Sequence, residues 1–364
     1  MNFEPSEEQE MLRASAARLF EDHAQAGDGD PAGQWRGYAE MGLLALPFPA
    51  TVGGLDGGHE AMMLVMEAYG AALARQPYLQ SVLLAGRALA QCEGELAATA
   101  LAGLIDGSRR AALCLYEPRG RYRWELPQTG AMRSGEGWTL RGEKRAVLDA
   151  DGADLLLCPA SVSGGVALFA VPADAPGVTI STRMTPDGRS ASDVTFADVL
   201  IGAEAMIADH RTAGAILAAT IDGATAACCA EMIGAMDRLL AITVEYINTR
   251  EQFGQAIGAF QVLQHRAADM LVAIEQARSM LYYAVAMLDA EPAQRKVAVA
   301  AAKALVNRSA RFVGTEAIQL HGGMGLASEY PAGRYFQRLT TLEMLLGDTD
   351  HLLGIVEAAG GLPD

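Results

Sequence analysis

Two stretches of the sequence carry residue types suited to holding a phosphate-bearing ligand. Arg250 follows a long helical pattern, so its guanidinium lies at a predicted helix end and can reach out of the fold. A planar fork of N–H donors matches the oxygens of a pyrophosphate. Gly322 and Gly323 follow another helical pattern, and glycine lets a backbone approach a ligand closely. Each has an ordinary alternative: Arg250 could pair with Glu245 or Glu251, and the glycines could be a helix C-cap.

Charge and composition make such local groups necessary for a phosphate-bearing ligand. The net charge of −16 over 364 residues argues against nucleic acid or an anionic membrane as the main partner. A phosphate would therefore have to be met by locally placed arginines or helix N-termini. The six histidines are scattered without the spacing of metal ligands, so no metal site is predicted. His321 is interpreted as a packing residue.

Cysteine usage and the first residues favour a cytoplasmic protein. None of the five cysteines forms a CxxC pair, and all lie in apolar stretches, which predicts buried, reduced thiols. Reduced thiols indicate a reducing compartment. The first ten residues, MNFEPSEEQE, lack the apolar segment of a signal peptide, and no membrane insertion is expected. The cysteines are Cys92, Cys114, Cys158, Cys228 and Cys229.

The pattern of apolar residues divides the chain into three parts. Residues 1–110 predict helices, with Ser6 and Gln9 near the start of the first one. Short apolar runs separated by Gly, Pro, Asp and Ser predict a small antiparallel β-domain over residues 111–208. Residues 209–364 predict a bundle of long helices. Its four helices are expected at residues 213–249, 261–289, 293–320 and 331–358.

Two motifs within the last part resemble the C-terminal signature of acyl-CoA dehydrogenases. One is NTREQFGQAIGAFQ over residues 248–261, and the other is QLHGGMGL over residues 319–326, followed by EYP. Glu117-Pro118 and the WTLRGEK of residues 138–144 also look like that family, as do Trp35 and several residues that follow it. The resemblance thus spans nearly the whole chain. It implies N-terminal helices, a central β-domain and a C-terminal four-helix bundle.

The resemblance also implies an activity. Members of the family bind FAD across a dimer interface and usually pair dimers into tetramers. They dehydrogenate an acyl-CoA thioester: a carboxylate removes the α-proton, and the β-hydrogen leaves as hydride to the flavin. An electron-transfer flavoprotein is the implied electron acceptor.

Several residues match family positions that contact ligands. Arg250 matches the arginine that binds the FAD pyrophosphate of a neighbouring subunit. Asp222 matches an aspartate that helps to hold the acyl-CoA. The other implied FAD contacts are Phe253, Phe260 and Gln261 beside the cofactor, Gln319, Gly322 and Gly323 at its adenosine half, and Thr349.

The catalytic carboxylate is missing from both places where the family carries it. Alignment on Thr349 puts Gly347 at the usual glutamate, and the alternative position on the first bundle helix is Ala224. Asp348 is one residue beyond the usual site and is the candidate base, because a small backbone shift could bring it within reach of the proton. The alternative is that Asp348 is a solvated or capping residue. Asp222 is the other nearby carboxylate.

The β-domain departs from the family pattern as well. Residues 116–124 read YEPRGRYRW and residues 147–150 read VLDA, so the small and hydroxyl groups that usually line the flavin ring are missing. The half of the FAD site offered to a neighbour looks intact, whereas the half that holds the chain's own flavin ring looks degraded. This asymmetry resembles one subunit of a heteromeric acyl-CoA dehydrogenase, whose homologous partner would supply the ring pocket and the base.

The sequence is also compatible with other functions. One is a self-sufficient homo-oligomer that uses Asp348 or another base. A second is a binding or scaffolding homologue without redox chemistry, and a third is a related flavin monooxygenase or nitroalkane oxidase. The acyl chain length is not encoded by any residue that the sequence singles out.

Overall fold

The computed structural model of the chain describes residues 5–327 and 330–362. These form two compact units. One comprises residues 1–29, 59–75 and 225–364, and the other comprises residues 30–58 and 76–224. The N-terminal helices are therefore distributed over both units, and the three-part division of the sequence stays a prediction.

The N-terminal part is helical, as predicted, and its first helix begins with a capping box. The Ser6 Oγ accepts the Gln9 backbone N–H at 3.2 Å, and the Gln9 side chain accepts the Ser6 N–H at 2.9 Å. Two otherwise unpaired donors are satisfied in this way. The helices are α1 (Glu7–Ala26), α2 (Pro31–Glu40), α3 (Gly58–Ala71), α4 (Arg87–Leu89), which continues a π-helical segment (Tyr78–Gly86), and α5 (Glu95–Ile105).

The central part forms one mixed sheet in the order β6-β7-β3-β2-β4-β5-β8, with β1 beside β4. The predicted β-domain is present, but the sheet is not purely antiparallel, because β1 and β2 both run parallel to β4. Intervening strands provide connections long enough for parallel pairing. The strands are β1 (Ala111–Leu113), β2 (Gly130–Ser134), β3 (Gly137–Leu148), β4 (Leu155–Val162), β5 (Gly165–Pro172), β6 (Val178–Met184), β7 (Ser190–Ile201) and β8 (Met206–Ala208).

The last part is a helical bundle, as predicted, with one correction. The expected single helix over residues 331–358 is two helices, because Leu346 and Gly347 have φ of 60° and 129°, which a continuous α-helix does not allow. The helices are α6 (Ala213–Thr249), α7 (Gln261–Ala286), α8 (Pro292–His321), α9 (Pro331–Met344) and α10 (Thr349–Ala358); a short hairpin, β9 (Glu251–Gln252) and β10 (Gln255–Ala256), follows α6.

Helix α6 is the longest helix of the described residues, with 37 residues. By length and apolar composition it could cross a membrane, but 72% of its most apolar 18-residue window is buried inside the fold. Burial of that kind is typical of a core helix.

Helices α3 and α6 cross at two glycines. A Cβ on Gly70 would lie 1.9 Å from the Glu231 carbonyl oxygen, and a Cβ on Gly234 would lie 1.8 Å from the Glu67 carbonyl oxygen. No side chain fits at either position, so the two backbones are in direct contact there.

Ion pairs flank this crossing. Arg278 on α7 binds the Glu67 carboxylate at 2.9 Å, and Arg338 on α9 binds the Glu231 carboxylate at 2.7 Å. The crossing therefore places one acidic side chain of each helix against an arginine of another helix.

All five cysteines are free thiols, as predicted. Cys92 is half-buried and the other four are buried. Burial raises the pKa of the Cys158 thiol to about 11, which keeps the thiol protonated at neutral pH.

Candidate functional site

Arg250 lies at the end of α6 and leads into the β9–β10 hairpin. Its backbone N–H donates to the Tyr246 carbonyl at 2.8 Å, and its carbonyl accepts the Ile257 N–H at 2.8 Å. The side chain is exposed. Among the residues that the structure describes, no carboxylate lies within 4.0 Å of its guanidinium, so it does not pair with Glu245 or Glu251. No carboxylate of the described residues therefore occupies its donors.

The hairpin presents Phe253 to solvent. This side chain is 91% exposed, and its backbone φ is 54°. A positive φ is unfavourable for a bulky residue, and strain of this kind is concentrated at functional sites. The ring of Phe260 lies 6.1 Å away and perpendicular to that of Phe253, and Gln261, the first residue of α7, is exposed beside it in sequence. An exposed aromatic ring beside a partly buried one suits a flat ligand or a partner surface.

The end of α8 exposes backbone. Gly322 is the C-cap with φ of 57°, and its N–H donates to the Gln319 carbonyl. Gly322, Gly323 and the Gln319 side chain are exposed, and among the described residues a Cβ on either glycine would meet nothing within 4 Å beyond its own neighbours in the chain. The glycines are thus a helix C-cap and also leave an open approach to the main chain.

The two motifs meet at one end of the bundle. The ring of Tyr246, one turn before Arg250, lies 4.6 Å from the ring of His321, the last residue of α8. His321 is buried, its pKa is lowered by burial, and its Nδ1 lies 2.7 Å from the Ala317 carbonyl, in agreement with a packing role. We call the seven predicted ligand residues gathered here the bundle-end group: Arg250, Phe253, Phe260, Gln261, Gln319, Gly322 and Gly323.

The bundle-end group fits part of FAD. An exposed arginine suits the pyrophosphate, and open glycine backbone suits close contact with the adenosine half. Every member except the partly buried Phe260 is exposed. The chain therefore presents most of this group to solvent.

A different arrangement surrounds Gly347 in the connection between α9 and α10. A Cβ on Gly347 would lie 2.9 Å from Leu352 Cδ2, and the residue is buried with φ of 129°. The next residue, Asp348, is the N-cap of α10, and its carboxylate accepts the His351 N–H at 2.9 Å. The position that matches the family glutamate therefore lacks a carboxylate, and a side chain there would be strained by its φ and would displace the Leu352 side chain. Asp348 caps a helix, which is the alternative that the sequence raised for it.

Thr349 does not join the bundle-end group. It opens α10 beside Gly347, whose carbonyl accepts a hydrogen bond from Asn307 on α8 at 3.3 Å. Gln319 lies twelve residues farther along α8, which corresponds to about 18 Å. The predicted FAD contacts of one chain thus fall into two separate groups.

The alternative base position is also without a carboxylate. Ala224 is fully buried on α6, and Asp222 on the same helix is 9% exposed. The guanidinium of Arg87 lies against Gly223, where a Cβ would be 3.0 Å from its Nη1. The role of Asp222 in holding acyl-CoA stays a prediction.

The β-domain contains a buried ion pair beside the loop formed by residues 116–124, whose sequence is YEPRGRYRW. Lys144 Nζ lies 2.8 Å from Glu117 Oε1 and donates to the Pro159 carbonyl at 2.7 Å. Glu117 also accepts the backbone N–H groups of Gln128 and Thr129 at 2.5 and 3.0 Å. Burial alone would raise the pKa of the Glu117 carboxyl, but the Lys144 ammonium and these hydrogen bonds lower it below its usual value. The pair therefore ties Glu117, near the start of the loop, to Lys144 on β3 and to the backbone of Gln128 and Thr129.

The loop carries three arginines. Arg119, Arg121 and Arg123 are all exposed, and the first two have positive φ of 64° and 47°. Tyr122 packs edge-on against Tyr116 with ring centroids 5.8 Å apart. Bulky arginine and aromatic side chains thus predominate in residues 116–124.

Sequence reasoning missed one pair of polar residues near the candidate site. Lys303 and Asn307 on α8 are fully buried and contact the segment that precedes Thr349. The signal was available, because a lysine and an asparagine four residues apart share one face of a helix that is otherwise apolar there.

Comparisons with known proteins agree with the fold and the motifs. Residues 6–107, 112–199 and 214–360 match the N-terminal, middle and C-terminal domains of acyl-CoA dehydrogenases. The chain is 28% identical to the probable acyl-CoA dehydrogenase YngJ of Bacillus subtilis (strain 168), over 96% of this chain and 97% of YngJ.

Two solved structures are similar over almost their whole length. A chain of the ChsE4-ChsE5 complex from Mycobacterium tuberculosis has a TM-score of 0.89 and 26% identity, with 100% of both chains covered. A chain of the steroid acyl-CoA dehydrogenase Tcur3481-Tcur3483 has a TM-score of 0.86 and 31% identity, with 98% of this chain and 99% of that chain covered. The chain belongs to the acyl-CoA dehydrogenase family, whose members are FAD-dependent oxidoreductases.

Proposed function

We propose that this chain is a subunit of a cytoplasmic heteromeric acyl-CoA dehydrogenase that shares its FAD site with a homologous second chain. The partner supplies the flavin-ring pocket and the catalytic carboxylate. This chain supplies the bundle-end group, with Arg250 on the pyrophosphate and the open glycines at the adenosine half. An electron-transfer flavoprotein receives the electrons.

The geometry at Gly347 carries this proposal. A missing glutamate alone could be replaced by a nearby acid, but a side chain at residue 347 would be strained by the φ of 129° and would press on the Leu352 side chain. Asp348 already accepts the His351 N–H. Because Ala224 also lacks a carboxylate, the chain offers no base at either family position.

FAD, when bound, accepts the hydride that leaves the β-carbon of the acyl group. The work assigned to this chain is binding and orientation. The guanidinium of Arg250 donates to pyrophosphate oxygens, and Phe253 covers a flat face of the ligand or of the partner. Removal of the α-proton is assigned to the partner.

The solved relatives support a two-chain assembly. ChsE4-ChsE5 is described as a complex, and Tcur3481-Tcur3483 is described by two protein names. Their overall folds match this chain closely, with TM-scores of 0.89 and 0.86.

The proposal is tested by expressing the chain alone and together with a homologous chain that retains the glutamate. Bound FAD per chain is measured by absorbance after gel filtration, and turnover is measured with acyl-CoA substrates. We expect little flavin and no turnover from the single chain, and one FAD per pair with turnover from the co-expressed chains.

Two other outcomes have clear meanings. One FAD per subunit and acyl-CoA oxidation by the single chain would establish a self-sufficient homo-oligomer. A co-expressed complex that binds no flavin would establish a binding or scaffolding role instead.

A further inference from the structure

A groove of about 670 Å³ lies within the unit formed by residues 30–58 and 76–224. Arg36 of α2 lines it, and so do Arg109 and Arg110 of the turn between α5 and β1. The groove shares no residue with the bundle-end group, which belongs to the other unit. Its volume is in the range of sites that hold a small molecule.

The two aspartates that line the groove bind backbone groups instead of the arginine side chains. Asp106 accepts the Ser108 N–H at 2.8 Å, and Asp154 accepts the Arg110 N–H at 2.8 Å. The Arg110 carbonyl accepts the Asp154 N–H in return, also at 2.8 Å. These bonds fix the turn that carries Arg109 and Arg110. Among the described residues, no carboxylate lies within 4.0 Å of the guanidinium groups of the groove.

Glycines provide the surfaces on which two of these arginines lie. A Cβ on Gly103 would stand 3.1 Å from Cγ and Cδ of Arg109, so the stem of that side chain packs on α5. A Cβ on Gly152 would stand 3.1 Å from Nη1 of Arg110, so that guanidinium lies against the connection between β3 and β4. Packing of this kind restricts the side chains in advance and lowers the entropy that ordering them would cost on binding.

Trp35 of α2 adds a buried donor to the lining of the groove. The residue is 4% exposed, and its Nε1 has no hydrogen-bond partner among the described residues. Its Cδ1, which is bonded to Nε1, lies 3.7 Å from where a Cβ would stand on Gly107. The pyrrole edge of the indole therefore faces the turn that leads to the two arginines. A buried N–H donor without an acceptor is unfavourable, and an oxyanion would supply an acceptor.

The groove is locally positive on an acidic protein. Three arginines and two aspartates line it, whereas the whole chain has a net charge of −16. A phosphate group offers three oxygens and about two negative charges, so it matches several guanidinium groups better than a single carboxylate does. The chemistry of the lining therefore favours a phosphate.

We propose that this groove binds a phosphate-bearing small molecule, with Arg36, Arg109 and Arg110 on the phosphate and the Trp35 indole N–H as a further donor. The inference goes beyond the proposed function and does not depend on it, because it uses no contact to FAD or to an acyl-CoA. The ligand connects α2 to the turn before β1 and to the connection between β3 and β4. Its binding therefore stabilises this unit.

Inorganic pyrophosphate is the probe, and the indole N–H signals of the ¹⁵N-labelled protein are the readout. The chain has three tryptophans, so the Trp35 signal is assigned from the spectrum of Trp35→Phe. We expect pyrophosphate to shift this signal saturably, with an affinity that falls as the salt concentration rises. Succinate at the same concentrations should shift it much less.

Arg36→Gln and Arg109→Gln remove one guanidinium each. Either change should weaken pyrophosphate binding at least tenfold and leave the unfolding midpoint unchanged, because both side chains are exposed. Arg109→Lys should restore only part of the affinity, since an ammonium keeps the charge but not the planar fork. The matched control is Arg141→Gln, because Arg141 is a 77% exposed arginine of β3 that does not line the groove.

Arg250→Ala separates the groove from the bundle-end group, to which pyrophosphate could also bind. The shift of the Trp35 signal and its midpoint should be the same in Arg250→Ala as in the original protein. Loss of pyrophosphate binding in Arg250→Ala, with full binding in Arg36→Gln and Arg109→Gln, would overturn the inference.

Three further results would also contradict it. A Trp35 signal that does not move with pyrophosphate would show that the groove is not a binding site. Equal weakening by Arg141→Gln and Arg109→Gln would show that the anion is attracted without a defined site. Equal shifts with succinate and pyrophosphate would show that the groove does not select phosphate.

Discussion

The bundle-end group and the connection around Gly347 have opposite characters, although both match cofactor-binding positions of one family. At the bundle end, Arg250 is exposed, no carboxylate of the described residues lies within 4.0 Å of its guanidinium, and Gly323 has open space around it among those residues. Around Gly347 the backbone is buried and hydrogen-bonded by Asn307, and a side chain there would have an unfavourable φ and would press on the Leu352 side chain. The difference shows that the bundle-end group is open to solvent, whereas the connection around Gly347 is packed within the fold.

The largest contrast is expected from the same substitution at two glycines. Gly347→Ala should lower the free energy of unfolding by about 2–5 kcal/mol, because it combines a positive φ with a 2.9 Å approach to Leu352. Gly323→Ala should change it by less than about 0.5 kcal/mol, since no atom lies within 4 Å of the added methyl. Urea unfolding of both variants gives the comparison. Equal losses of unfolding free energy in Gly347→Ala and Gly323→Ala would show that the two regions accommodate an added methyl group equally well.

Arg250→Ala probes the bundle end directly. A charge-assisted contact to a pyrophosphate contributes about 1.5–3 kcal/mol, so FAD affinity of the assembled protein should fall about 10- to 150-fold. The unfolding midpoint should hardly move, because the side chain is exposed. Flavin titration followed by absorbance or fluorescence measures the effect. The control is Arg133→Ala, an exposed arginine of the β-domain that should leave the affinity unchanged.

Substitutions of Asp348 test whether the connection around Gly347 supplies a catalytic base. Asp348→Ala should cost about 0.5–2 kcal/mol of stability through loss of the N-cap to His351, and Asp348→Asn should cost only a few tenths. Neither change should remove turnover from the assembled enzyme. Loss of turnover in Asp348→Asn, with stability intact, would identify Asp348 as the base. The protein would then be a self-sufficient homo-oligomer that does not need a partner's carboxylate.

The smallest effect on stability is expected at Phe253. Phe253→Ala removes a ring that is 91% exposed, and it should leave the unfolding free energy within about 0.5 kcal/mol of the original. Association with a second chain, measured by sedimentation, should nevertheless weaken. Unchanged association and unchanged flavin content would show that the exposed ring has no part in the interface.

Much of this arrangement was predictable from local signals. The Ser6 capping pattern marked the start of α1, and the long apolar pattern of residues 213–249 matched α6 at both ends. The break at Gly347 was missed because the helical pattern of apolar residues continues across it, and φ is not visible in a sequence. The polar pair Lys303 and Asn307 was missed because its carbonyl partners are backbone atoms, which any residue type could supply.

The parallel pairing of β1 with β4 was missed for another reason. Alternation of apolar residues predicts a strand but not its neighbour, and partners distant in sequence are set by the fold as a whole. Likewise, the residue type at Arg250 and the family resemblance at Gln319 predicted ligand contacts, whereas their meeting at one end of the bundle involves the contact between Tyr246 and His321.

The crossing of α3 and α6 has a consequence for how this sequence can change over time. Gly70 and Glu67 are three residues apart, as are Gly234 and Glu231, and each glycine faces the carbonyl of the other helix's glutamate. The contact is reciprocal, so enlarging one glycine cannot be offset by any change at the other. Both positions are closed even to alanine, and sliding α3 along α6 would disturb the ion pair of Glu67 with α7 or that of Glu231 with α9. Substitutions that accumulate in this bundle should therefore leave Gly70 and Gly234 unchanged. Relatives that lack either glycine should hold the two helices farther apart.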